Sequence, residues 1–526
     1  MPLPVITAPD QVHAWDAQTI AAQNITSLQL MERAARAFVD HFTERYPPDS
    51  YEVIDILCGP GNNGGDGAAI ARLLEAAGYT TSVWGWWGSD GGQSPDLVAN
   101  WESLKRKHHP RLHENEDYVP TPGVDVIIDA LFGVGLTRPL SGAYAETVRT
   151  ANEARAQHVA VDVPSGQKVD GSQPDWLCFD AGETVTFEAL KLAALLPETG
   201  PTWGAIRVTQ VDLEEPPNWM TPDTPVIIDR DVIVALAAEA MGPRERFTHK
   251  GTYGHVLVIA GSRGHAGAAL LSGTGALNAG AGLVTFYVPA RLETVMQLGL
   301  PEAMCLVDPH GDYLTTCPDL DRYDAFVIGP GIGQHADTAR MLSQLFAAVG
   351  ERPCVIDADA LNLVAADETL SDKLPARAIL TPHPGEFARL AGETRNGYER
   401  MQRLRGYAKT LPPRATVVLK DQYTAVATPD GELYFNFFDG NPGMGTGGMG
   451  DVLAGVVGAI AARMDPVDSA DPEAADFMTS GAAVLGVYAH AKAGDIVKEG
   501  WGEDGVTASR VAEAIGQALR RVYNSE

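Results

Sequence analysis

Two kinds of apolar pattern run along this chain. From Ser27 to Tyr46 apolar residues recur at helical spacing (Leu28, Leu30, Met31, Ala34, Ala35, Phe38, Phe42), which predicts an amphipathic helix capped by Ser27. Beyond it, short unbroken apolar runs predict strands at 53–57, 81–86, 124–130 and 158–163, with a helix at 68–77. Runs that are apolar at every position, not at alternate ones, belong to parallel sheets covered on both faces. The first half is therefore expected to be doubly wound α/β.

Residues 213–225 (LEEPPNWMTPDTP) are rich in Pro and polar side chains and lack periodicity, the composition of a linker. Domains are expected at 1–225 and 226–526. The strand pattern then restarts at 256–260, 283–288, 325–328, 354–357, 378–381 and 416–419, with small-residue helices at 268–279 and 450–464. Residues 464–476 (MDPVDSADPEAAD) read as an acidic surface loop. Both halves are α/β, yet no repeat period links them.

A chain of 526 residues is too long for one ordinary core and suits two or three domains. Its 45% hydrophobic and 20% charged residues are globular proportions that exclude wholesale disorder. The formal net charge of −29 repels nucleic acid, and no basic tract offsets it. Small anions remain compatible, because a ring of backbone N–H groups overrides the global charge locally. Five scattered cysteines without a CxxC pair indicate neither a disulfide framework nor a structural zinc site. With no signal-peptide pattern in MPLPVITAPDQVHAWD and no membrane-length apolar run, a cytoplasmic protein without membrane partners is expected.

Candidate chemistry sits where strands end. CGPGNNGGDG (58–67) follows a strand and opens a helix, where an open α/β sheet presents free N–H groups to an anion. A tight turn alone would explain the glycines; the polar Asn62, Asn63 and Asp66 ask for more. It is not a Walker loop, since no Gly-Lys-Ser/Thr follows. Asp129 through Leu136 and Asp162-Val163-Pro164-Ser165-Gly166 end two further strands, so that Asn63, Asp129 and Ser165 offer hard oxygen ligands to a cation. Lys191 is either part of this site or a solvated helix residue.

These motifs resemble, in order and over roughly the first 215 residues, the NAD(P)H-hydrate epimerase domain, which inverts C6 of the hydrated nicotinamide ring. The resemblance implies a Rossmann-like three-layer αβα domain. It implies that Asn62, Asn63, Gly64, Gly65 and Asp66, with Gly133, Val134, Gly135, Leu136, Thr137, Arg138 and Pro139, hold the hydrated coenzyme. It further implies that Asn63, Asp129 and Ser165 hold potassium (K+), and that Asp162 contacts the nicotinamide end and handles protons, with Lys191 nearby. Inversion at C6 needs reversible proton movement, which suits a carboxylate.

In the second half, AGSRGHAGAA (260–269), GPGIG (329–333), DADALN (357–362) and TPHPGE (381–386) close successive strands, and Lys420 closes another. Gly280 and Gly282 read as helix-packing glycines. GNPGMGTGGMGD (440–451) leads into a helix, so the N–H groups of Gly447 to Gly450 can cradle a transferring phosphate while Asp451 takes a proton from an attacking hydroxyl. A structural Asp beside a helix N-terminus is the plain alternative. The set resembles the ribokinase-like superfamily, and within it the ADP/ATP-dependent NAD(P)H-hydrate dehydratases, over about residues 226–520. Their chemistry is phosphorylation of the C6 hydroxyl of the S hydrate and loss of phosphate.

By that resemblance Ala268, Gly333, His383 and Asp451 contact the hydrated coenzyme, and Asp451 is the base. Lys420, Asp421, Gln422, Tyr423, Thr424 and Gly450 contact the adenine nucleotide. Magnesium (Mg2+) is expected through the phosphates, and ADP is preferred over ATP as in bacterial members. Asp421 stands where the family usually has Gly and is expected to alter the nucleotide loop; Met449, where Ser is also common, is expected to matter little. A homo-oligomer is expected. Two other readings stand beside this one: a small-molecule kinase of the hydroxymethylpyrimidine or hydroxyethylthiazole type, and a first half that binds without catalysing.

Overall fold

The structure, a computed structural model, describes residues 3–87, 92–107, 109–216, 221, 223–240, 244–464 and 472–523. The chain forms two compact units. One comprises Pro4–Thr224 together with Asn396–Glu399; the other takes Leu3, Pro225–Arg395 and the residues from Arg400 onward. Within the latter, the Leu3 carbonyl accepts a hydrogen bond from the Ile227 N–H at 2.8 Å.

Among the described residues, the first unit holds a seven-stranded parallel sheet. Its spatial order is Leu112–Glu114, Thr80–Gly85, Val53–Cys58, Val126–Ala130, Gln157–Val161, Glu183–Phe187 and Ala205–Thr209. The chain leaves Val53–Cys58 toward one edge and returns on its other side at Val126–Ala130. That reversal creates a crevice at the carboxyl ends of those two strands. The expected doubly wound α/β class is what the sheet shows.

Several boundaries differ from the sequence reading, each for a local reason. The amphipathic helix spans Ser27–Arg45 and is capped by Thr26, not Ser27: the Thr26 hydroxyl accepts from the Gln29 N–H, and the Gln29 side chain accepts from the Thr26 N–H. The next helix starts at Asn62, six residues early. Its glycines serve backbone contact: a Cβ on Gly64 would lie 1.9 Å from the Gly59 carbonyl oxygen, and one on Gly59 would lie 1.8 Å from that of Leu131. The strand expected to reach residue 163 stops at Val161, because Asp162 turns the chain at φ 65°. The helix Pro9–Gln23 was not expected at all.

The second unit is built, among the described residues, on a ten-stranded sheet. Its order is Val226–Ile227, Leu433–Phe435, Ala425–Ala427, Thr416–Leu419, Ala378–Leu380, Cys354–Ile356, Ala325–Ile328, His255–Ile259, Leu283–Pro289 and Met304–Asp308. All neighbours are parallel except the two pairs made by Ala425–Ala427. The chain reverses around His255–Ile259, and the expected α/β class holds. Helices Ala266–Asn278 and Met449–Met464 begin within two residues of expectation. Gly282 does not pack a helix as expected; its Cβ would lie 1.7 Å from the Lys250 carbonyl oxygen in a 3-10 turn. Of the expected acidic loop, residues 465–471 lie outside the described residues, and Pro472 already begins a helix reaching Trp501. The linker residues 217–220 and 222 also lie outside them.

Those two helices meet backbone to backbone. A Cβ on Gly455 would sit 1.9 Å from the Ser272 carbonyl oxygen, and one on Gly275 would sit 2.6 Å from that of Val452. Carbonyls within helices cannot swing away as a side chain would. Gly455→Ala is therefore expected to lower stability by about 1–3 kcal/mol, read as a lower denaturant midpoint. An unchanged midpoint would show that the helices separate freely.

Candidate active sites

In the first unit a cavity of about 440 Å³ opens at the strand-order reversal. Of the residues singled out in the sequence, Asn62, Asn63, Asp66, Gly133, Val134, Gly135, Leu136, Asp162 and Lys191 line it. Gly64, Gly65, Thr137, Arg138 and Pro139 are not part of that lining. Gly65 instead packs the helix on Met31, whose side chain would lie 2.7 Å from an added Cβ. Thr137, Arg138 and Pro139 are exposed.

Lys191 is no solvated helix residue. It sits on the two-residue strand Leu190–Lys191, is 1% exposed and forms an ion pair with Asp162. Its ammonium also donates to the Thr186 hydroxyl at 2.7 Å and the Phe187 carbonyl at 3.3 Å. The Thr186 hydroxyl and the Phe187 N–H both donate to Asp162 Oδ1. A buried ammonium is tolerated because all three of these acceptors are in reach.

Asp129 and Ser165 are not part of the cavity lining, and both are fully buried. Asp129 accepts from the Ser165 hydroxyl and N–H, each at 2.7 Å, and from the Leu131 N–H at 3.1 Å. Burial nevertheless pushes its carboxyl up to about 6. An added Cβ on Gly133 would touch the Asn63 carboxamide at 3.4 Å, and Asn63 Nδ2 is buried without a hydrogen-bond partner.

Sequence reasoning missed the helix Pro9–Gln23, which brings His13 and Asp16 to the cavity. Burial and the nearby Asp162 carboxylate push Asp16 up to about 6. Asp66, half-buried, is raised well above the ordinary range by lost hydration and by the Asp162, Asp16 and Asp96 carboxylates. Pro9 in the first turn was the available helix signal.

In the second unit, strand ends and the first turns of two helices gather Asp357, Asp359, Lys420, Gly450 and Asp451. Lys420 Nζ pairs with the buried Asp357 at 2.8 Å, and the Thr381 hydroxyl donates to the same oxygen at 2.8 Å. An added Cβ on Gly450 would lie 3.1 Å from Lys420 Nζ. Asp451 stands in the first turn of Met449–Met464, where burial and the neighbouring Asp357 push it up to about 6 despite Lys420. The Gly333 N–H donates to Asp359 Oδ2 at 2.9 Å, and a Cβ on Gly331 would lie 3.2 Å from that of Ala268. Ala268, Gly333, Gly450, Lys420 and Asp451 thus belong to one neighbourhood.

His383 is exposed and caps the helix Pro384–Ala391, its Nδ1 accepting from the Gly385 N–H at 3.0 Å. Asp421 is tied to Arg400 at 3.2 Å. Gln422, Tyr423 and Thr424 follow it into the strand Ala425–Ala427. His490 was also missed: it is buried on the long Pro472–Trp501 helix and hydrogen-bonded to the Met449 main chain. Burial and the Lys420 charge lower it to about 4, so its ring is neutral beside the start of the Asp451 helix.

The chain is similar to known proteins over both halves. A family model described as NAD(P)H-hydrate dehydratase matches residues 256–517, and one described as YjeF-related protein N-terminus matches residues 27–193. The bifunctional NAD(P)H-hydrate repair enzyme Nnr of Moorella thermoacetica is 31% identical, with 95% of this chain and 93% of that protein covered. Its namesake from Escherichia coli is 32% identical, covering 98% and 93%. Among solved structures, ADP/ATP-dependent NAD(P)H-hydrate dehydratase from Bacillus subtilis, co-crystallized with ATP/Mg2+, is 26% identical over 57% of this chain and 98% of that one, with a TM-score of 0.47. By its identity to relatives matched over nearly their whole length, the chain belongs to the family of bifunctional NAD(P)H-hydrate repair enzymes.

Proposed function

We propose that the first unit equilibrates the R and S hydrates of NADH and NADPH at C6. The second then dehydrates the S hydrate at the expense of ADP or ATP. The observation that carries this reading is coverage of both halves of the bifunctional relatives by one chain. A kinase releasing a stable phosphate ester has no use for the first unit.

Asp162 and Lys191 meet the reacting ring in the first cavity. In the second site Asp451 accepts the proton of the C6 hydroxyl as that oxygen takes the phosphoryl group, and the Gly447–Gly450 amides face the transferred phosphate. Loss of phosphate from C6 with a proton from C5 restores the ring double bond. A base near 6 is ionised at neutral pH yet basic enough to help. Lys420 through Thr424 and Gly450 take the nucleotide, with magnesium held through its phosphates, and ADP is the preferred donor.

The first unit also suits potassium. Asp129, Ser165 and Asn63 offer hard oxygens, and turning the Asn63 amide presents its oxygen where the unpartnered Nδ2 now lies. Bound there, potassium supplies counter-charge to a buried carboxylate. Replacing potassium by tetramethylammonium is expected to slow epimerisation about tenfold, a barrier change of about 1.4 kcal/mol, without slowing dehydration of S hydrate. Equal rates would remove potassium from the site.

The deciding experiment for the whole reading supplies mixed hydrates with ADP or ATP. Full recovery of reduced-nicotinamide absorbance is expected, because epimerisation feeds the R form to dehydration. A persistent phosphorylated alcohol would favour the kinase, and recovery stopping at the S fraction would reduce the first unit to binding.

A further inference from the structure

Inversion at C6 moves a hydroxyl from one face of the ring to the other. A single fixed carboxylate reaches only one face, so the reaction asks for proton-handling groups from two walls of the cavity. Asp162 and its partner Lys191 come from the sheet side, at the end of Gln157–Val161 and on Leu190–Lys191. The helix Pro9–Gln23 forms a separate wall and brings Asp16 to the same 440 Å³ space.

Resting on the proposed epimerisation, we propose that Asp16 is its second proton-handling residue, serving the ring face that Asp162 does not reach. In one direction Asp16, as the neutral acid, gives its proton to the C6 hydroxyl. The C6–O bond breaks with its electron pair leaving as water, and the N1 lone pair closes a C6=N1 double bond. A water then adds to the other face. The new C6–O bond forms as the double-bond pair returns to N1, and the Asp162 carboxylate takes the extra proton. One proton has moved from Asp16 to Asp162, one water has left and one has entered, and nothing is oxidised or reduced. The opposite direction exchanges the two roles.

The electrostatics suit this division. Asp16 is raised to about 6 by burial and by the Asp162 charge, with His13 and Lys191 opposing. Asp162 carries the ion pair with Lys191. The other charged groups lining the space are Asp66, Asp96 and Glu188. Asp66, within the Asn62–Ala76 helix, belongs to the stretch expected to hold the coenzyme.

The test uses the full chain without ADP or ATP, so that only exchange between hydrates is read by chiral chromatography. Asp16→Asn is expected to lower kcat at least 100-fold with KM within threefold, while dehydration of S hydrate with ADP stays at the wild-type rate. Asp16→Glu is expected to recover part of the exchange. The kcat–pH profile of wild type should carry a limb that Asp16→Glu shifts. In 18O-water, each inversion should place one label at C6. Asp16→Asn exchanging hydrates within threefold of wild type would overturn the proposal, as would inversion without label. Wild type failing to exchange hydrates would instead overturn the reading on which it rests. Should Asp16→Asn not fold, shown by loss of its thermal transition, Asp16→Glu decides alone: an unshifted pH limb overturns the assignment.

Discussion

Asp451→Asn is expected to stop dehydration while making the protein more stable. Loss of a general base costs about 100- to 10,000-fold in rate, and exchange of hydrates in the first unit should be unaffected. The stability gain follows from the raised carboxyl. A folded-state value of about 6 against 3.8 means that ionising Asp451 works against folding. That penalty is fully present above pH 6, shrinks as pH falls from about 6 to 3.8, and is absent below. Substitution by Asn removes it, so the variant should gain about 1–3 kcal/mol above pH 6 and little at pH 4. The same carboxyl sets the wild-type rate, which should fall about tenfold per unit below pH 6. A variant that is inactive and less stable at pH 8 would show Asp451 to be a structural support.

Lys191→Met has the other large expected effect. It strands the Asp162 carboxylate, which is 9% exposed, without its cation. Removing one partner of a buried pair costs about 3–5 kcal/mol, and unfolding of the first unit should show it. The double variant Lys191→Met with Asp162→Asn should recover most of that loss while remaining unable to exchange hydrates. Such a pattern separates the stability role of the pair from its chemistry. If Lys191→Met alone kept full stability, the ammonium would not be the counter-charge that its geometry indicates.

The Asn62–Asp66 and Asp162 motifs were legible because each follows an unbroken apolar run, and in a doubly wound sheet such ends converge at the carboxyl edge; the Asp451 motif stood out by its glycines ahead of a helix. Lys191 was not. Its strand is two residues long, too short for any periodicity. The helix Pro9–Gln23 buries only Trp15 and Thr19, so it has no apolar stripe to betray it. It walls a cavity instead of a core, and Asp16 went unseen with it. Short strands such as Leu112–Glu114 and Ala425–Ala427 were invisible for the same reason as Lys191. Asp421 was noticed as a departure, but its partner Arg400 lies on another element, and only tertiary structure joins them.

The cap made by His383 decides what that ring offers a visitor. With Nδ1 committed to accepting from the Gly385 N–H, the imidazole proton resides on Nε2. That Nε2 donor lies 3.4 Å from Glu386 Oε1, so its N–H is shared with the carboxylate. A visitor to His383 therefore competes with that carboxylate for a single N–H, and only an acceptor oxygen, of a carboxamide or a phosphoryl group, can displace it; a nicotinamide amide NH2 finds no lone pair there.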